Sequence, residues 1–185
     1  MGTDKALLEI DGVTLAERVH GALVSSGCAP VCAIGGDAVR LRELGLRVVA
    51  DRYPGEGPLG ALVTALAALG PDADVVVVLA CDLPDADPRA ISALCAPFTA
   101  PGGDLVDVVV PRSTTRRHMH HAAWRVTALP LLAGAFDAGE RAPRRALGLL
   151  RVHELAVGES FDPAWLADLD APDDLRARRA RVVGE

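Results

Sequence analysis

Apolar residues along this chain fall into two alternating rhythms. Over residues 15–26, Leu15, Val19, Ala22 and Leu23 recur at helical spacing, and Gly27 closes the stretch. Residues 30–34 form a short apolar run shut by Gly35 and Gly36, the pattern of a buried strand and a turn. Asp37 is placed to cap a short helix expected through Leu44, and residues 46–50 predict a second strand. Residues 60–69, rich in Ala and Leu, predict a helix. Residues 74–81 carry Val75, Val76, Val77, Val78 and Leu79. Consecutive β-branched residues favour a strand, and apolar character at both parities predicts burial on both faces. Asp87 and Pro88 open a helix expected to reach residue 96. Further strands are expected at 106–111, 122–126 and 151–155, and helices at 128–138 and 143–150. A last helix is expected from Pro172 into the basic run 176–181.

This alternation predicts one α/β domain over residues 1–185: three layers, Rossmann-like and doubly wound, with a mostly parallel sheet between helices. In such sheets ligands bind beyond the carboxyl ends of the strands, so the residues that follow each strand are the ones to inspect. The turn at 100–104 is a surface feature, and no internal repeat or linker divides the chain.

Composition narrows the partners. Half the residues are hydrophobic but only 3 % are aromatic, so the core must be built from Ala, Val and Leu. A formal net charge of −6 argues against general attraction to nucleic acid. No apolar run approaches the roughly 20 residues of a membrane helix, and the mixed, charged start does not read as a secretory signal. A cytoplasmic location is therefore expected. Cys28, Cys32, Cys81 and Cys95 lack a C-x-x-C pair and are expected as free thiols in a reducing compartment.

Three places carry candidate chemistry. Asp82 ends the run from Val75, where a carboxylate needs a partner such as a divalent metal on phosphates, or else is a turn Asp before Pro84. Asp51 ends the strand at 46–50 and leads into Pro54-Gly55-Glu56-Gly57-Pro58-Leu59-Gly60. Glycines there allow close backbone approach to a ligand, in a loop that also serves as an ordinary strand-to-helix turn. Lys5 is the sole lysine of the chain; in a sequence so biased toward arginine it marks a position for a mobile point charge. A basic loop, residues 112–125, holds Arg112, Arg116, Arg117, Arg125, His118, His120 and His121. It suits an anionic acceptor, with a solvated loop or a histidine zinc site as alternatives.

The order of these pieces closely resembles the molybdenum-cofactor guanylyltransferase family. Met-Gly-x-Asp-Lys-Ala-Leu-Leu at the start, Gly-Pro-Leu-Gly at 57–60, Cys-Asp-Leu-Pro at 81–84 and Asp-x-Asp-Ala-Pro-Asp-Asp-Leu at 168–175 follow the family's motifs along nearly the whole chain. The resemblance implies a nucleotidyltransferase that moves GMP from GTP to molybdopterin and releases pyrophosphate. It implies Mg²⁺ held by Asp82, phosphate contacts from Lys5, and a guanosine pocket that includes Asp51 and residues Gly57, Pro58, Leu59 and Gly60. Arg117 and His118 would hold the acceptor phosphate. Molybdoenzyme apoproteins or their chaperones are the further partners it suggests. Cytidylyl- and sugar-phosphate nucleotidyltransferases share the fold, and a non-catalytic cofactor-binding protein would share the scaffold. Two departures follow. The family's first strand and Leu-Ala-Gly-Gly loop are expected to be missing ahead of Met1, as from a start assigned at an internal Met, the favoured reading, or from truncation or a degenerate, non-catalytic protein. Asp168, Asp170 and Ala171 also stand where the family carries Asn, Asn and Thr.

Overall fold

The computed structural model describes residues 4–167. The final helix expected from Pro172 and the motif at 168–175 lie outside these residues. Local signals set most elements. Helix α1 (Leu15–Ser25) starts with a reciprocal cap: the Glu17 N–H donates to Thr14 Oγ1 at 3.2 Å, and the Thr14 N–H donates to Glu17 Oε2 at 2.9 Å. A small antiparallel pair, β1 (Glu9–Ile10) and β2 (Val13–Thr14), precedes it and has no counterpart in the sequence reading. Strand β3 (Ala33–Ile34), helix α2 (Ala38–Glu43) and strand β4 (Val48–Val49) follow, with Asp37 capping α2 through the Arg40 N–H. Helix α3 (Pro58–Leu69) and strand β5 (Val75–Leu79) come next. Helix α4 (Pro88–Thr99) then runs past Pro97, one turn beyond the expected end. Strands β6 (Val108–Arg112) and β7 (His121–Arg125), helices α5 (Leu129–Asp137) and α6 (Pro143–Ala146), and strand β8 (Val152–Ala156) complete the set.

The main sheet has the order β5-β7-β6-β8. β7 is antiparallel to both neighbours while β6 and β8 are parallel, so β5, β6 and β8 point one way and β7 alone is reversed. The reversal has a simple cause. Residues 113–120 join β6 to β7, and so short a link cannot make the crossover that parallel neighbours need.

Period-two alternation divides the core between the two faces. Val108, Val110, Ala122 and Trp124 point to one cluster with Leu59, Leu62, Leu66, Leu132 and Phe136 of α3 and α5. Val109, Ala123 and Leu155 point to the other, with Ala90 and Leu94 of α4 and Phe161. Helices therefore cover both faces, as the three-layer reading expects.

β3 and β4 pair in parallel but form a separate two-stranded sheet. β3 uses one edge for β4, and β5 uses one edge for β7. Residues 31–36 and 76–81 line the same cavity of about 440 Å³, closed by Ala16, Val19 and Leu23 of α1 and Leu62 and Ala65 of α3. The cavity corrects the sequence reading of β5. Only Val76 is buried, and the rest of the strand is half-buried because its open edge borders the cavity.

Trp124 is fully buried and fills the larger cluster. Trp124→Ala is expected to cost about 3–5 kcal/mol of stability. Urea denaturation followed by far-UV circular dichroism reads this loss. Trp124→Phe should cost far less, because the indole N–H has no partner to lose.

Candidate active site

The segments that follow β3, β4 and β5 meet at one end of the sheets. A single short turn builds the first wall. Lys5–Leu7 is a single 3₁₀ turn capped by Asp4, whose Oδ1 accepts from the Ala6 N–H at 3.1 Å. Asp4 Oδ2 accepts from the Asp37 N–H at 3.0 Å, which ties this turn to the residues just beyond β3. Lys5 Nζ then stands 3.8 Å from Asp82 Oδ2, beyond the end of β5. The two residues named from opposite ends of the sequence reading are thus brought together. The thiol of Cys81 feels the same cluster. Desolvation raises its pKa first, then the negative charges of Asp82 and Asp4, while Lys5 pulls the other way.

Asp51 shapes the second wall. Its Oδ1 accepts from the Tyr53 N–H at 3.0 Å and from Thr64 Oγ1 at 3.1 Å. Thr64 is fully buried and also lies within hydrogen-bond reach of the Gly60 carbonyl, while accepting from the Arg52 N–H at 3.2 Å. One carboxylate oxygen and one hydroxyl therefore fold the chain after β4 back onto α3. Asp51 lies beside Gly35, whose Cα lacks a side chain that would meet the Asp51 Cβ at 3.4 Å.

The glycine loop leads from the second wall into α3. Gly57 has φ 90°, a backbone that suits glycine, and caps α3 ahead of Pro58. Gly60 packs so tightly that a Cβ would come 2.8 Å from that of Tyr53. Gly57 and Pro58 remain exposed, and Pro58 borders the cavity. Leu59 behaves differently from its grouping with the pocket residues. Its side chain is fully buried in the core, and its N–H donates to the Arg141 carbonyl at 3.1 Å. Leu59 anchors the loop, and its amide is already engaged.

Arg117 and His118 lie on the β6–β7 connection. Arg117 pairs with Glu154 of β8, as does Arg112, with Arg112 Nη1 2.7 Å from Glu154 Oε2. These two guanidinium groups hold the Glu154 carboxyl below its ordinary range, the Arg112 hydrogen bond first. His118 Nε2 lies 3.3 Å from Ser113 Oγ. The next residues reach the first wall: the Ala80 N–H donates to the His120 carbonyl at 2.8 Å, so this loop borders the end of β5.

Among the described residues, no three His, Cys, Asp or Glu side chains cluster as a self-sufficient metal cage. One or two carboxylates at a strand end suit a hard cation that takes its remaining oxygens from phosphates and water. Asp82 fits that donor set.

Sequence reasoning missed Asp4, Tyr53 and Thr64. Asp4 is legible as a residue type that caps turns, directly before Lys5. Thr64 is the one polar side chain in Pro58–Leu69, a signal in an otherwise apolar helix. Tyr53 gave no local signal.

A three-layer α/β fold with a charged cluster and a glycine loop at one end of its sheets suits the binding of a nucleotide. The chain belongs to the family of the MobA-like NTP transferase domain, whose pattern matches residues 1–155. It is 34 % identical over 188 residues to the molybdenum cofactor guanylyltransferase of Rhodobacter capsulatus, covering 98 % of this chain and 90 % of that one. It is 32 % identical over 192 residues to a probable molybdenum cofactor guanylyltransferase of Chloroflexus aggregans, covering 97 % and 87 %. The crystal structure of molybdopterin-guanine dinucleotide biosynthesis protein A from Archaeoglobus fulgidus is similar in fold, with a TM-score of 0.74 at 21 % identity, covering 100 % of this chain and 93 % of that one. The protein is a nucleotidyltransferase.

His121 generates a prediction of its own. It is buried, its Nδ1 has no partner, and burial pushes its pKa down to about 4, with His118, His120 and Arg116 adding repulsion. Below pH 6.5 the unfolded chain takes up a proton that the folded chain refuses until about pH 4. Stability should fall over that window by about 3 kcal/mol, and this group should contribute no slope above it. Denaturant titrations at pH 7, 6 and 5 should show the slope in the native chain and lose it in His121→Phe.

Proposed function

We propose that the protein transfers GMP from GTP to the terminal phosphate of molybdopterin and releases pyrophosphate. The observation that carries this reading is the meeting of Lys5 and Asp82 at 3.8 Å beyond the carboxyl end of β5. Gly57-Pro58-Leu59-Gly60 and the names of the relatives favour the guanine nucleotide over its cytosine counterpart.

The chemistry asks little covalent help of the protein. An oxygen of the acceptor phosphate forms a bond to the α-phosphorus, and the bond from that phosphorus to the pyrophosphate oxygen breaks. A phosphate monoester is already an anion near neutral pH, so no base must activate it. Alignment and charge neutralisation then carry the rate. Lys5 supplies a movable positive charge to the phosphates once nucleotide separates it from Asp82. Asp82 would hold a Mg²⁺ ion, which supplies Lewis acidity and a template for the phosphates when bound. Asp51 and the exposed backbone at Gly57 border the nucleoside. Asp51 would act chiefly by shaping the loop, because its Oδ1 is engaged with Tyr53 and Thr64.

Arg117 and His118 are the proposed acceptor contacts. Glu154 already balances Arg117, so an incoming phosphate would compete with that carboxylate or join Arg117 through its other N–H donors. Handing the product to molybdoenzyme apoproteins or their chaperones, in the cytoplasm, completes the reading. No helix among the described residues is long and apolar enough to cross a membrane.

Calorimetry with GTP and with CTP, each with Mg²⁺, tests the nucleotide. Product formation from molybdopterin and GTP tests the reaction. GTP is expected to bind more tightly than CTP. Asp82→Ala should lower turnover by about 10²–10³-fold, the scale of losing one preorganised electrostatic contact, with the far-UV spectrum unchanged. A folded protein that binds neither nucleotide would remove the assignment, and tighter CTP binding would move it to a cytidylyltransferase.

A further inference from the structure

Arg141 belongs to none of the motifs, yet it meets the glycine loop at Glu56, Gly57 and Leu59. Its backbone carbonyl accepts the Leu59 N–H at 3.1 Å, in the first turn of α3. That same carbonyl would lie 3.2 Å from a Cβ at Gly57, so Arg141 packs directly against the α3 cap. Its guanidinium divides between the two sides. Nη1 donates to the Phe136 carbonyl at 2.8 Å and to the Glu140 carbonyl at 3.0 Å. Nη2 donates to Glu56 Oε2 at 2.8 Å, in the middle of the loop. The guanidinium carbon also sits 4.1 Å from the centre of the Phe136 ring, which packs 4.4 Å from the ring of Tyr53. A planar fork with five donors can hold a backbone carbonyl, a carboxylate and a ring face at once, which an ammonium group cannot.

We propose that Arg141 is a positioning residue that latches the glycine loop to the end of α5, so that Gly57 and Pro58 are ordered before nucleotide arrives. The inference rests on reading this loop as part of the nucleotide site. The latch acts through Glu56, and the two residues behave as one unit. Its side chains are nearly half exposed, at 43 % for Arg141 and 48 % for Glu56. An ion pair that exposed adds little to global stability. Its effect is on the order of the loop: a loop already held in its bound form loses less freedom on binding.

Three variants, Arg141→Ala, Glu56→Ala and the double variant, test this with two measurements. Hydrogen exchange of the nucleotide-free protein reads the latch by itself. The Leu59 amide should exchange about tenfold faster in each variant, while the β6–β7 amides keep their protection. Unchanged exchange overturns the proposal whatever the nucleotide does. Calorimetry with GTP and Mg²⁺ then reads the consequence. Each single variant should weaken binding about tenfold, and the double variant should be no weaker than either single one. In steady-state assays KM should rise with kcat little changed. Arg141→Lys, which keeps the charge but not the fork, should recover only part of the loss.

The signs discriminate among readings. Removing Glu56 makes the site less negative, so a purely electrostatic effect would tighten the binding of an anionic nucleotide. The latch instead predicts that it weakens. If Glu56→Ala leaves binding unchanged while Arg141→Ala weakens it, Arg141 touches the nucleotide directly and the latch is wrong. If no variant or parent binds nucleotide but exchange responds as stated, the latch stands and the reading of the site falls.

Discussion

The antiparallel ladder between β5 and β7 is the constraint on which the rest of this structure depends. Five residue pairs, from Val75 with Arg125 to Leu79 with His121, hold β5 at the edge of the main sheet. Among the described residues, β5 has no strand on its other side. Everything beyond its carboxyl end takes its place from that ladder. The ladder puts Asp82 where Lys5 can reach it, and it brings the end of the β6–β7 loop against Ala80. It also explains why the apolar run of β5 is only half-buried: a strand paired on one edge shows the other edge to whatever lies beside it.

The site is assembled chiefly by side chains that bond to backbone, and less by charge pairs. Asp4 holds the turn that carries Lys5 and reaches across to Asp37. Asp51 and Thr64 fold the chain after β4 onto α3. Such bonds stabilise modestly one at a time, but they define where a loop lies, and a buried partner left alone costs more than the bond yields. The exposed ion pairs of Arg112, Arg117 and Arg141 add less stability and more direction. This division suits an enzyme whose chemistry depends on holding phosphates in line, since the scaffold must be stiff and the charges must be free to change partners.

Much of the fold could be read from local pattern, because its causes are local. Caps at Thr14, Asp37 and Asp87 and the proline at position 58 start helices through contacts within a few residues. Runs such as Val75–Leu79 favour extended backbone on steric grounds. Residue type and position together singled out Lys5, Asp82 and Gly57, and the structure brings the first two within 3.8 Å. Leu59 was grouped with the pocket because it stands in the motif, but its burial beside Leu62 and Leu66 gives it to the core. Tyr53 and Arg141 gave no signal at all, because their roles arise from contacts across long stretches of chain.

By itself, then, the sequence determined the class of fold, the places where helices begin, the alternation that covers both faces of a sheet, and the family. The first three follow from interactions between near neighbours or from periodicity, which need no knowledge of what packs against what; the family follows from the resemblance of its motifs. Only the tertiary structure decided that β7 runs against its neighbours, that the β3–β4 pair stands apart from the main sheet with a cavity between them, and that Lys5 lies against Asp82. Only it decided that the amide of Leu59 is engaged and that Glu154 stands between Arg112 and Arg117. Those outcomes depend on which distant surfaces bury each other. Non-local packing is selected by the whole core at once, and no short stretch of residues encodes it.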